Sequence, residues 1–296
     1  MKKRRLGGLI FIDFHIYINY NIIMQSVFAR AKVNLALNVV GRDGPKHLLD
    51  GIYACCDLGD TVTVSARKDK EIRVSYEGRE GVFERDTSVL TARLLQESYM
   101  TTGADIMICK RIPEKRGLGG SSADAAGVAR AFEAEFGLGK IDASVLLSVG
   151  SDVPFQYVGG CARVSGKGEK ISPQKLPRLY LALLLPPKGV STAECFALYD
   201  RVGGEAGDID ALTETLKRKE PPVFKNALER AATILAPEIG VGRKILEDAG
   251  FACGMTGSGS ALFGAEYDES IFREKLKRVI LPRGFTLTET MTEAEL

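Results

Sequence analysis

The sequence predicts an α+β fold in two domains. Three observations predict it. Strand-like alternation dominates the early part of the chain, beginning with Val27, Ala29, Ala31, Val33, Leu35, Leu37 and Val39. Helical patterns then cluster between 192 and 249 instead of alternating regularly with strands, which argues α+β over α/β. Finally, 296 residues are enough for two domains and a substantial core. No internal repeat or low-complexity segment interrupts the pattern. The glycine pair Gly159-Gly160 offers a boundary, giving domains at 24–159 and 160–296.

The elements follow in order. The first strand carries Arg30, Lys32, Asn34 and Asn38 on its second face, and Gly41 to Pro45 forms a turn. After His47 a mixed run reaches Leu58. Gly59-Asp60 then predicts a turn into a strand with Val62 and Val64, and Ile72 to Tyr76 predicts another strand. Asp86-Thr87-Ser88 can cap a helix over 89–99. Alternation of Ala104, Ile106 and Ile108 marks a strand over 104–110, and Val128, Ala129, Phe132 and Phe136 mark a helix ended by Gly137. A short helix over 143–149 ends at Gly150-Ser151-Asp152-Val153-Pro154. Strands near 161–165 and 180–185 precede helices at 192–199, 209–217, 226–235 and 237–249. Met255 to Gly264 reads as strand, glycine turn, strand; a helix over 269–279 and a last strand close the chain.

Between the 104–110 strand and its following helix lies Arg111-Ile112-Pro113-Glu114-Lys115-Arg116-Gly117-Leu118-Gly119-Gly120-Ser121-Ser122. Unpaired backbone N–H groups and a positive macrodipole at a helix mouth favour an anion, and glycines let it come close. This is a phosphate cradle by physical criteria. It lacks the Gly-Lys-Ser/Thr ending of a Walker loop and the third glycine of a dinucleotide fingerprint. The plain alternative is a glycine-rich helix start capped by serine. Lys32, alone on a polar strand face, either snorkels to solvent or polarises a hydroxyl in a cleft. Asp152 is either a turn residue or a general base. The Gly257/Gly259 turn is a plain hairpin or a close approach to a ligand.

Composition restricts the classes. Hydrophobic residues make up 45% and charged residues 26%, an ordinary balance for a soluble globular protein. The net charge of +2 supports neither a nucleic-acid nor a membrane-surface role. Six cysteines (Cys55, Cys56, Cys109, Cys161, Cys195, Cys253) lack CxxC spacing, and two histidines, His15 and His47, make zinc ligation a poor reading. Free buried thiols in a reducing compartment fit, and with them a cytoplasmic location. The segment 1–23 resembles a signal peptide, with Lys2 to Arg5 before an apolar run, but Asp13, His15, Asn19 and Asn21 interrupt it. Its Ile/Asn/Tyr/Phe bias reads as a non-native leader, with Met24 as the start.

Taken together, the ordered motifs resemble the GHMP kinases. They are Ala31-Lys32-Val33-Asn34-Leu35, Gly41-Arg42-Asp43-Gly44 with His47-Leu48-Leu49, Pro113 through Ala126, and Ser151-Asp152-Val153-Pro154-Phe155. Further matches are Gly166-Lys167-Gly168-Glu169, Gly189-Val190-Ser191-Thr192-Ala193, Asn226-Ala227-Leu228-Glu229 and Gly257-Ser258-Gly259-Ser260, so the resemblance spans Phe28 to about Phe263. Within the superfamily the chain is most similar to the 4-diphosphocytidyl-2-C-methyl-D-erythritol kinases of non-mevalonate isoprenoid synthesis.

The resemblance implies an N-terminal domain like ribosomal protein S5 domain 2 and a ferredoxin-like C-terminal domain, with ATP and a small-molecule substrate meeting between them. It implies ATP phosphates on Pro113, Gly117, Leu118, Gly119, Gly120, Ser121 and Ser122, with Mg2+ near Ser122. It gives Asp152 the substrate hydroxyl's proton, and Lys32 the task of lowering that hydroxyl's pKa. Asn34, His47, Thr192, Gly257, Ser258 and Gly259 fall at substrate-contacting positions. No nucleic-acid or membrane partner is implied, and the protein would be a monomer or homodimer. The sequence departs from the family where Tyr-His-Glu is usual: Lys46 precedes His47 and Leu48 follows it. Tyr53 or Phe196 could supply the missing aromatic face. Competing readings are another GHMP kinase (homoserine, mevalonate-type or sugar), a catalytically silent binding relative, and a nucleic-acid module.

Overall fold

The computed structural model describes residues 25–78 and 86–293. The leader read at 1–23 lies outside the described residues, as does Met24. A long antiparallel hairpin begins the fold, β1 (Gln25–Asp43) against β2 (Lys46–Ala66). Ala29, Ala31, Val33 and Leu35 of β1 are buried in the core, as their alternation predicts. Its second face is not solvated, however. Lys32 and Asn34 are buried as well, and register shifts between Arg30 and Lys32 and between Asn34 and Ala36 flank them. Bulges re-aim side chains where a strand meets a site.

The turn expected at Gly59-Asp60 is absent, and β2 runs straight through it. Gly59 answers to packing: a Cβ there would sit 2.7 Å from the Ala29 carbonyl oxygen and from the Phe28 ring. Asp60 is fully buried and accepts the backbone N–H groups of Arg111 and Ile112. A glycine and an acid that read as a turn are instead a close strand contact and an internal anchor.

Next come β3 (Ile72–Tyr76), α1 (Thr87–Tyr99), β4 (Ala104–Cys109) and α2 (Gly120–Phe136). The Asp86 carboxylate accepts the Ser88 N–H and caps α1 as predicted. Two short helices follow, α3 (Ala143–Val149) and α4 (Val153–Val158). Sequence periodicity missed α4; Pro154 sits in its first turn, where a missing N–H costs nothing. The strands β5 (Cys161–Gly166) and β6 (Lys170–Pro173) complete a six-stranded sheet of order β3–β4–β2–β5–β6, with β1 also paired to β2. α2 lies across β1 and β2, with α1 and α4 beside it.

The second sheet contains β7 (Tyr180–Leu185), β8 (Ala252–Met255), β9 (Leu262–Glu266) and β10 (Thr286–Met291), in the order β10–β7–β9–β8 and all antiparallel. Around it run α5 (Thr192–Val202), α6 (Ile209–Lys217), α7 (Glu229–Leu235), α8 (Glu238–Asp248) and α9 (Glu269–Leu276). Leu181, Leu183 and Leu185 of β7 join the same apolar cluster as the first sheet, while Ala182 and Leu184 face α7 and α8 residues. Burial on both faces explains why this strand is continuously apolar. Because β5 and β6 hydrogen-bond within the first sheet, the change of sheet falls between Pro173 and Tyr180, past the glycine pair.

All six cysteines are free, and burial pushes the Cys55 and Cys161 thiols up to about 12. No helix among the described residues is long and apolar enough to cross a membrane.

The contact of α2 with the hairpin yields a test. Mid-helix glycine to alanine ordinarily stabilises by about 1 kcal/mol. At Gly127 the added Cβ would sit 2.7 Å from Val62 Cγ2 and 2.9 Å from Ala29 Cβ, both rigid and buried. Gly127→Ala is expected to destabilise by about 1–3 kcal/mol, the overpacking cost. A raised melting temperature in thermal unfolding would show that the helix and hairpin separate freely.

Candidate active site

The glycine-rich loop singled out in the sequence lies at the mouth of α2. Gly117 and Gly119 adopt φ of 75° and 71°, and both face crowded surroundings. A Cβ on Gly117 would collide with the Thr256 carbonyl; one on Gly119 would sit 2.8 Å from Gln156 Oε1 and 3.1 Å from Lys32 Cγ. Gly119 is the N-cap of α2 and no side chain caps it, so the serine cap of the plain alternative is absent. The first N–H groups of α2 therefore remain for an anion.

β1 delivers Lys32 to this mouth. Its backbone N–H donates to the Leu118 carbonyl at 3.0 Å, which fixes the strand to the loop. Its side chain is 4% exposed; Nζ donates to Asn34 Oδ1 at 2.7 Å and lies 3.3 Å from Asp152 Oδ2. Beneath the ammonium, 5.3 Å away, is the ring of the fully buried Tyr53. Burial first, and the nearby Asp152 charge second, hold that phenol well above its usual pKa. Tyr53 thus supports Lys32 and is not an exposed platform. Asp152, at the start of α4, is 26% exposed and opens to the cleft.

Asn34 connects this centre to the second sheet. Its Oδ1 also accepts the Gly257 N–H at 2.7 Å, and its own N–H donates to Thr256 Oγ1 at 3.0 Å. Thr256 Oγ1 donates in turn to the Gly117 carbonyl at 3.1 Å. The turn is held from behind by Asn226, whose Nδ2 donates to the Met255 and Gly257 carbonyls, each at 2.9 Å.

A cleft of about 1440 Å³ collects these groups, large for one ligand and suited to two. Of the residues singled out in the sequence, Lys32, Asn34, His47, Pro113, the run 117–122, Asp152, Thr192, Gly257 and Ser258 line it. Thr192 and Ser258 share a hydroxyl hydrogen bond of 2.9 Å. Gly259 does not line the cleft; it packs toward Met255, Ala232 and Ile239.

At the far end, His47 stacks on Phe196 with ring centroids 4.5 Å apart and planes at 25°, and meets Tyr199 edge-on at 6.3 Å. Phe196, Tyr199 and Asp200 occupy one face of α5 by their i, i+3, i+4 spacing. His47 Nε2 lies 2.8 Å from Asp200 Oδ1.

Sequence reasoning missed a buried ion cluster below the α2 mouth. Lys110 Nζ donates to Asp60 Oδ2 at 2.5 Å and to Asp124 Oδ2 at 2.6 Å. It lies 3.6 Å from where a Gly120 Cβ would be. Burial, reinforced by the Asp60 charge and opposed by Lys110, raises the Asp124 carboxyl to about 7. These residues come from β2, β4 and α2, so no local spacing could announce them.

Three kinds of comparison place the chain among known proteins. The family of GHMP kinase N-terminal domains matches residues 86–160. A 4-diphosphocytidyl-2-C-methyl-D-erythritol kinase of Polaromonas naphthalenivorans (strain CJ2) is 34% identical over 83% of this chain and 87% of its own length. A crystal structure of 4-(cytidine 5'-diphospho)-2C-methyl-D-erythritol kinase superposes with a TM-score of 0.75 at 29% identity, covering 91% of this chain and all of that one. Homoserine kinase from Cytophaga hutchinsonii gives a TM-score of 0.68 at 18% identity over 94% of this chain and 97% of its own, a likeness of fold alone.

The raised Asp124 carboxyl predicts a pH-dependent stability. An unfolded aspartate titrates near 3.9, so the folded state holds this proton more tightly and its contribution is lost as pH rises from about 4 through about 7. Asp124→Asn cannot ionise and is expected to flatten that fall, gaining on wild type by a few kcal/mol at most, at about 1.4 kcal/mol per pKa unit. Urea midpoints at pH 5 and pH 8 check it. A variant that loses more stability at pH 8 than at pH 5 would contradict it.

Proposed function

The chain belongs to the 4-diphosphocytidyl-2-C-methyl-D-erythritol kinase family of the GHMP kinases, and on that premise we propose that it transfers the γ-phosphoryl group of ATP to a hydroxyl of 4-diphosphocytidyl-2-C-methyl-D-erythritol in isoprenoid precursor synthesis. The observation that carries the proposal is the buried Lys32 ammonium 3.3 Å from the half-open Asp152 carboxylate, fixed by its own backbone to the loop that would hold the phosphates. A binding module needs no such pair.

In this reading ATP lies with its phosphates on the N–H groups at the α2 mouth. Asp152 takes the proton of the substrate hydroxyl as that oxygen bonds to the γ-phosphorus, while the bond to the β–γ bridging oxygen breaks and ADP leaves. Lys32 has three N–H donors; with Asn34 and Asp152 engaged, the third has no acceptor among the described residues and would serve the charge developing on the attacking or transferring oxygens. Asn34 sets the direction of that ammonium.

Magnesium belongs to the same proposal. Among the described residues no group of three or more His, Cys, Asp or Glu side chains could hold a metal ion. Mg2+ takes one or two protein oxygens and otherwise phosphates and water, so it needs no such group. The Ser122 hydroxyl, opposite the Gly150–Asp152 turn, would contribute, and the bound ion would neutralise phosphate charge.

At the far end, His47 and Phe196 would receive the cytosine. Lys46 is exposed and offers no ring, so Phe196 supplies the aromatic surface here.

Asp152→Asn is expected to lower kcat by a factor of about 10² to 10⁴ with ATP affinity nearly unchanged. Lys32→Met should also cut kcat while preserving the buried packing. Steady-state kinetics with this substrate and with homoserine, alongside nucleotide binding, check both. Near-normal turnover in Asp152→Asn would remove the base assignment, and faster turnover of homoserine by wild type would move the substrate elsewhere in the superfamily.

A further inference from the structure

We propose that Asp200 is a positioning residue that fixes the tautomer of His47, leaving Nδ1 as a bare acceptor that selects a cytosine over a uracil. The inference rests on the substrate reading above and extends it to a residue outside the motifs that carry the family resemblance.

The geometry is specific. Asp200 Oδ1 lies 2.8 Å from His47 Nε2, and Arg42 Nη2 lies 3.5 Å from its other oxygen. The hydrogen bond to His47 holds the Asp200 carboxyl below its usual range, against a small opposing effect of burial. An ionised carboxylate only accepts, so the hydrogen of this bond sits on Nε2, and a neutral ring then carries no hydrogen on Nδ1. Nδ1 takes no hydrogen bond among the described residues. The ring is also locked in plane, stacked on Phe196 at 4.5 Å and bounded edge-on by Tyr199. One helical face thus sets both orientation and protonation of a ring that lines the cleft.

An acceptor at this point discriminates by chemistry. The 4-position of cytosine carries an amino donor, whereas that of uracil carries an oxygen acceptor. The amino group would donate to Nδ1; the uracil oxygen would face a lone pair with no hydrogen between. A polar site of this kind rejects the analogue that cannot pair, whereas an apolar pocket would not. Aspartate, not asparagine, suits the task, because an amide could bond Nε2 in either sense and would allow both tautomers.

The test combines a spectrum with kinetics. The chain has only two histidines, so imidazole ¹⁵N resonances of the full-length protein can be assigned by comparison with His47→Ala. At pH 8.5 the wild type is expected to show His47 protonated on Nε2, and Asp200→Ala to lose that preference. In assays with the cytidylyl substrate and its uridylyl analogue, Asp200→Ala should raise KM for the cytidylyl substrate about tenfold, the scale of one hydrogen bond. KM for ATP should hold, kcat should change less than the substrate KM, and the cytidylyl-to-uridylyl preference should fall. Asp200→Asn should lie between, and Asp200→Ala combined with His47→Ala should lose no more than His47→Ala alone. A residue that merely clasps the β1–β2 hairpin to α5 would raise both KM values equally; an unmoved preference, or His47 protonated on Nδ1 in wild type, overturns the inference alone. No turnover of either substrate by wild type would overturn the substrate reading and this inference with it.

Discussion

The side-chain oxygen of Asn34 is the point on which the site depends. It accepts from the Lys32 ammonium and from the Gly257 backbone, so one carbonyl group joins this buried cation to the second sheet. A lysine with a side chain only 4% exposed loses most of its hydration, and its N–H groups need protein acceptors in place of the water. Asn34 and Asp152 are those acceptors. Because Asn34 is held by Thr256 as well, the direction of Lys32 is determined by residues more than 200 positions away in sequence.

The same constraint explains the glycines. Gly117 and the Gly257 turn face each other so closely that a Cβ on Gly257 would sit 2.7 Å from the Gly117 carbonyl oxygen. The Thr256 hydroxyl bridges the gap by donating to that carbonyl. Arg116 adds bonds to the Pro186 carbonyl at 2.6 Å and to Ser260 Oγ at 3.0 Å. The phosphate-loop candidate is therefore braced from the second sheet. Its glycine Gly117 answers to the neighbouring backbone, whatever the loop binds.

Much of this was legible in the sequence, and the limits have physical causes. Period-two and helical patterns located most elements, because burying one face forces that periodicity. They failed at Gly59-Asp60, where turn chemistry stood in for close packing and a buried anchor, and at α4, too short to show a helical period. The glycine loop announced itself, since an anion site needs small residues at a helix mouth. Lys32, Asp152 and His47 drew notice as chemistry-bearing types, but their meeting in one cleft depends on tertiary contacts that no spacing encodes. Asp60, Lys110, Asp124 and Asp200 were silent for that reason. Lysine and aspartate on separate elements look like solvated surface until the fold brings them together.

Two lysine–carboxylate clusters beside the same helix mouth differ in how far burial closes off the carboxylate. Lys110 is enclosed by Asp60, with a side chain 0% exposed, and by Asp124 at 5%. Asp60 is further saturated by the Arg111 and Ile112 N–H groups. Removing Lys110 would leave the fully buried Asp60 without its cation, so the cluster is suited to hold the loop and poorly suited to exchange a proton with a substrate. Lys32 is sealed more tightly than Lys110, yet its carboxylate partner Asp152 is 26% exposed and 3.3 Å away, longer than the Lys110 contacts. That gap and that exposure leave Asp152 room to accept a hydroxyl without breaking its environment. The difference between a brace and the proposed catalytic pair here is the accessibility of the carboxylate, set by α4 beginning at the cleft edge while β2 runs through the core.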